Sequence, residues 1–148
     1  MILAGNPAQL ETVMRGLLKR RGKRARKPEE IIHRAVVQHL EQREVPGLLW
    51  WHTPNGGKRT PAEAGIFKAL GVRAGVCDFI LVHKGRTFGL ELKAPGGKPP
   101  TETQMEFVSR LNAAGGFGAI VVGLDAAIKT LETWGLLTGQ ASLREAAE

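Results

Sequence analysis

Apolar residues along this chain switch between a helical and a strand period, and the switches mark its elements. Ile32, Val36 and Leu40 recur at helical spacing, as do Ile31 and Ala35. That stripe predicts an amphipathic helix from about Glu29 to Arg43. Pro28 precedes it and two glutamates open it, placing acids at the positive end of the helix dipole. Pro46-Gly47 ends it. Leu48 to His52 then reads as a short strand and Thr53 to Gly57 as a loop, while Pro61 to Leu70 reads as a short helix closed by Gly71. Two apolar runs, Cys77–His83 and Arg86–Lys93, are separated only by Lys84-Gly85 and predict a hairpin. Ala94 to Pro100 holds two glycines and three prolines, so it reads as a loop. Thr101 caps the next helix, which runs to Ala114 with Phe107 and Leu111 on one side. Gly115-Gly116 breaks it, Phe117–Val122 predicts a buried strand, and Asp125 to Trp134 a last helix.

The order αβαββαβα predicts an α/β domain, a mixed sheet flanked by helices. At 148 residues the chain fits one domain of this kind. The pattern divides it into an N-terminal arm (1–28), a domain (29–137) and a short tail (138–148). Trp50, Trp51 and Trp134 are expected in the interior, because there is no tyrosine and only five phenylalanines help to fill it.

Charge sharpens this picture. The net charge of +7 sits entirely on the arm, where Arg15, Lys19, Arg20, Arg21, Lys23, Arg24, Arg26 and Lys27 face only Glu11; beyond it acids and bases balance. Such an arm suits a phosphate backbone, whose condensed counterions it would release; a solvated tail that keeps the protein in solution is the other reading. No apolar stretch is long enough to span a bilayer, and the N-terminus has the wrong charge order for a secretory signal. One cysteine, Cys77, excludes an internal disulfide and a multi-cysteine zinc site. The expectation is a cytoplasmic protein.

The hairpin carries the candidate chemistry. With Lys84-Gly85 as its two-residue turn, His83 pairs with Arg86, and the same register sets Asp78 opposite Glu91. Lys93 lies two residues on, on the face of Glu91. Cys77 falls on the face opposite Asp78 and reads as a small core residue. Carboxylates so opposed stand about 5 Å apart at Cβ, and they either share a proton or hold a cation. Mg²⁺ is a hard ion suited to one or two carboxylates plus water and phosphate. Lys93 beside it could orient the attacking water or stabilise charge on phosphate. The competing reading is a solvent-facing edge hairpin in which Lys93 simply pairs with Glu91.

Gly75-Val76-Cys77-Asp78 followed by Glu91-Leu92-Lys93 resembles the bipartite signature of the PD-(D/E)xK nucleases. Trp51-His52-Thr53-Pro54-Asn55-Gly56-Gly57, the stretch Lys68 to Gly75, and Gly96-Gly97 ahead of Gln104 extend that resemblance to the stand-alone VRR-NUC domains, from about Pro28 to Leu137. The resemblance implies a restriction-endonuclease-like core that cuts DNA with Mg²⁺ or Mn²⁺. It implies Asp78, Glu91 and the carbonyl of Leu92 as metal ligands, Lys93 as the catalytic lysine, and Gln104 as a catalytic residue. It also implies an active-site glutamate on the first helix, at Glu29 with Glu30 as competitor. Branched or four-way-junction DNA and a homodimer follow from the same resemblance. The sequence departs from the family in having Cys77 where a proline usually precedes the aspartate.

Several residues carry two readings. Thr101 and Gln104 form a capping-box pattern, so Gln104 could close the helix, serve the site, or both. His52 could touch nucleic acid or be structural. Asn55, Lys58 and Arg59 in one glycine-rich loop, and Lys98 in another, offer amides and cations to phosphate, or are solvated turns. A nuclease-like module that binds without cutting is the main functional alternative. A two-carboxylate glycosidase is disfavoured by the basic arm, the neighbouring lysine and the few aromatics.

Overall fold

The computed structural model describes residues 25–54 and 56–139. Most of the basic arm, Asn55 and the tail from residue 140 lie outside the described residues.

The chain runs α1 (Pro28–Arg43), β1 (Leu49–His52), α2 (Pro61–Ala69), β2 (Phe79–His83), β3 (Arg86–Lys93), α3 (Glu102–Ala113), β4 (Phe117–Val122) and α4 (Leu124–Thr133). This is the αβαββαβα order expected from the pattern. The sheet has the order β1-β2-β3-β4, with β1, β2 and β3 antiparallel and β4 parallel to β3. The β2–β3 turn has positive φ at both Lys84 (48°) and Gly85 (74°). That is the turn whose twist matches the flanking strands, and it fixes the register His83↔Arg86 through Phe79↔Leu90.

Because side chains alternate along β3, the sheet has two different faces. Phe88, Leu90 and Leu92 point into the main core with Phe79 and Leu81 of β2, Val36 and Leu40 of α1, and Ala127 and Leu131 of α4. Gly89, Glu91 and Lys93 take the opposite face, toward α3. The approach there is tight: a Cβ on Gly89 would lie 2.7 Å from Leu111 Cδ2 and 3.0 Å from Cys77 Sγ. Three helices end in a glycine with left-handed φ, Gly71, Gly115 and Gly135, and each end carries the paired backbone bonds that satisfy its last carbonyls. Arg43 is buried and bonds Glu132 and the Thr138 carbonyl, tying α1 to α4 and to the strand-like bridge Glu44↔Leu137.

Three expectations need correction. β4 is an edge strand rather than a buried one, with Phe117 and Val122 exposed at its ends, because no strand among the described residues pairs with its outer side. Trp51 is 44% exposed. It shares the face of its partner Ile80, while α3 packs on β3 and β4 instead. Trp50 and Trp134 do pack against the core. Cys77 is buried as expected, but it lies against Gly89, on the face of Glu91. Strict alternation fails there because β2 begins only at Phe79.

Among the described residues, no helix is long and apolar enough to cross a membrane.

Candidate active site

The ladder between β2 and β3 stops at Phe79↔Leu90, one pair short of Asp78 and Glu91. Beyond that point side chains take over from the backbone. Asp78 Oδ2 accepts the Leu92 N–H at 2.8 Å, where a strand carbonyl would otherwise sit. Glu91 Oε2 accepts the Asp78 N–H at 3.2 Å. Charged acceptors make these bonds stronger than an ordinary ladder pair. The two acids are therefore interlocked, each holding the backbone of the other's strand.

Glu91 is 3% exposed. Its Oε1 accepts from Gln104 Nε2 and lies 3.4 Å from Lys93 Nζ. Burial and then the charge of Asp78 push the Glu91 carboxyl up to about 7, against the pull of Lys93 and the Asp78 amide. One lysine thus fails to neutralise two acids, so this end of the sheet keeps an affinity for a proton or a cation. Burial, helped by the same two acids, also pushes the Cys77 thiol up to about 12, which leaves it inert.

Gln104 closes the helix and also reaches Glu91. Its Oε1 accepts the Thr101 N–H at 2.9 Å while the Thr101 hydroxyl accepts the Gln104 N–H at 3.3 Å, completing a capping box. Its amide nitrogen remains for Glu91. Gly75 makes this possible: with φ at +76°, a Cβ there would stand 2.2 Å from the Thr103 carbonyl oxygen. Only glycine lets the segment leading to Asp78 lie so close to the start of α3.

A cleft of about 380 Å³ opens where the two sheet faces meet. Glu91, Lys93 and Gln104 reach it from the α3 side, and Glu29, Glu30 and His33 from α1; His52, Asp78 and Leu92 complete the lining. Both competing glutamates are present, and Glu30 is engaged by Arg34 at 3.1 Å. The Lys93 carbonyl bonds Gly123 on the β4 side. Successive carbonyls of a strand point to opposite sides, so that of Leu92 faces the Asp78 side, where the ladder has ended.

His33 was not singled out from the sequence, although it sits between Ile32 and Val36 at the margin of the apolar stripe. Its ring stacks on Phe79 at 4.5 Å and meets His52 edge-on at 4.3 Å. Burial and the neighbouring His52 hold its pKa below the ordinary histidine value, partly offset by Asp78. His52 Nδ1 lies 2.8 Å from the Asp78 carbonyl oxygen, which also accepts the Thr53 N–H. A carbonyl only accepts, so Nδ1 carries a proton.

The loop cations separate. Arg59, stacked on Phe67 at 4.3 Å, lines a second, larger groove of about 1220 Å³ with Lys68, Arg73 and Arg110. Lys58 and Lys98 are exposed and line neither space. Asn55 lies outside the described residues.

No protein-family model matches the sequence, and no curated protein matches it. A solved structure described as "VRR_NUC domain protein" superposes with a TM-score of 0.59 at 22% identity, over 73% of this chain and 88% of that one. The chain therefore has the fold that its sequence resemblance implied, a mixed sheet flanked by helices, matching that of a VRR-NUC domain.

Proposed function

We propose that this chain is a metal-dependent deoxyribonuclease that hydrolyses DNA phosphodiesters. The observation that carries the reading is the interlocked pair Asp78–Glu91, with Lys93 3.4 Å from Glu91 and a net negative charge left over. The fold match to a VRR_NUC domain protein supports it. A module that only bound DNA would have no use for two acids, one buried and one half-buried, facing a phosphate backbone.

Asp78, Glu91 and the Leu92 carbonyl would hold Mg²⁺ or Mn²⁺, and oxygen-only donors of this kind fit a hard cation. Such an ion supplies charge stabilisation at the scissile phosphate and a more acidic water. Lys93 orients that water and places positive charge on the phosphate oxygens. Gln104 keeps the Glu91 carboxylate turned inward. Glu29 or Glu30, from α1, supplies the further carboxylate on the opposite wall. Arg59 and its neighbours in the larger groove bind the strand leading away from the cut, through phosphate contacts. The reading extends to branched DNA as substrate and a homodimer as the acting form.

The test is cleavage by the full chain and its Glu91→Ala variant on a labelled four-way junction and a matching linear duplex, with Mg²⁺, Mn²⁺ or EDTA. Metal-dependent cutting by the wild type, lost in the variant while junction binding persists, supports the reading. Faster cutting of the junction supports branched substrates, and sedimentation of the active species reads the dimer. Equal binding with no cutting by either protein would overturn it in favour of a binding module.

A further inference from the structure

The cleft joins two histidines that the nuclease reading leaves idle to one of its acids. One nitrogen of His33, one of His52 and a carboxylate oxygen of Asp78 all lie within 4.8 Å of one another. They come from three separate elements, α1, β1 and the segment before β2, so no local sequence preference brings them together. A single ion with bonds of about 2.1 Å holds its donors roughly 3–4 Å apart, so shifts of under about 1 Å would close the set around it.

Two features show this cluster to be oriented. His52 gives its Nδ1 proton to the Asp78 carbonyl, which fixes the ring and leaves Nε2 as the nitrogen without that bond. A ring nitrogen held by a backbone carbonyl is the usual support of a metal-bound imidazole. His33 is fixed by its stack on Phe79 and its edge contact with His52.

We propose that His33, His52 and Asp78 form a second cation site, selective for a borderline transition-metal ion such as Zn²⁺ or Co²⁺ over Mg²⁺. Two imidazoles and one carboxylate match the donor preference of such ions and are poor ligands for Mg²⁺, which prefers oxygen. The site shares Asp78 with the carboxylate centre but is complete without Glu91. It stands whether or not the chain cuts DNA.

Untagged full-length protein, stripped of metal, would be titrated with Co²⁺ alone at neutral pH and followed by visible ligand-field absorption. One Co²⁺ should bind, Zn²⁺ should displace it, and a large excess of Mg²⁺ should not. His33→Gln and His52→Gln should each weaken Co²⁺ binding about tenfold or more, while His83→Gln leaves it unchanged and Glu91→Gln, a change in the adjoining carboxylate centre, does not abolish it. His52 is exposed, so its variant reads binding even where the His33 change disturbs packing on Phe79. Unchanged Co²⁺ affinity in the His52 variant, or loss confined to Glu91→Gln, would overturn the inference. Cutting with Mg²⁺ could survive either result, so the two readings fail separately.

Discussion

Gln104 bonds Glu91 and the start of its own helix with one amide: its Oε1 accepts the Thr101 N–H at 2.9 Å and its Nε2 donates to Glu91 Oε1. A capping device therefore sets the orientation of a buried carboxylate. Gln104→Ala should lose both, costing about 1 kcal/mol of stability and lowering cleavage. Gln104→Glu keeps a capping-box residue but puts another acid against Glu91. Its cleavage optimum should move to higher pH than that of Gln104→Ala, as read from pH–rate profiles. Coincident profiles would remove Gln104 from the electrostatics of the site.

Glu91 gives a pH dependence with a definite sign. Its folded pKa, about 7, lies above the ordinary carboxylate range. Between those two values the folded state holds a proton that the unfolded state has released, so stability falls as pH rises, then levels off above the folded pKa. In EDTA, Glu91→Gln should be more stable than wild type at pH 8 by on the order of 2–3 kcal/mol. The advantage should vanish near pH 4. Urea unfolding at the two pH values measures it.

Lys93 is the only cation within salt-bridge distance of Glu91 among the described residues. Lys93→Met should lower cleavage by about 10²–10⁴-fold with little change in DNA affinity. It should also raise the Glu91 proton affinity, moving the acid limb of the pH–rate profile upward. A drop in affinity that matches the drop in rate would recast Lys93 as a binding residue.

Gly75 should tolerate no side chain. A methyl group 2.2 Å from the Thr103 carbonyl forces the segment before β2 away from α3, at a backbone angle that L residues avoid. Gly75→Ala should cost about 2–4 kcal/mol and separate Gln104 from Glu91. Thermal unfolding reads the first effect and the pH–rate profile the second.

The larger groove makes a salt-dependent prediction. Arg59→Ala and Arg73→Ala should each reduce the slope of log affinity against log salt by about 1 without altering the rate at saturating DNA. Unchanged slopes would place the DNA path elsewhere.

The sequence by itself determined the order of elements, because hydrophobic period and turn chemistry are local. A two-residue turn with glycine fixes hairpin register, so Asp78, Glu91 and Lys93 could be brought together without coordinates. The capping pattern at Thr101–Gln104 was legible for the same reason. Alternation carried the reading only as far as the ladder: once backbone pairing stops at Phe79, the period of 2 no longer assigns faces, and Cys77 went to the wrong one.

Tertiary structure alone decided what meets across the ends of elements. The meeting of His33, His52 and Asp78 joins α1, β1 and the approach to β2, positions far apart in the chain whose spacing carries no signal. The exposure of Trp51 and the edge position of β4 depend on where α3 packs and where the sheet ends. Neither is encoded in a local period, because burial is a property of neighbours in space.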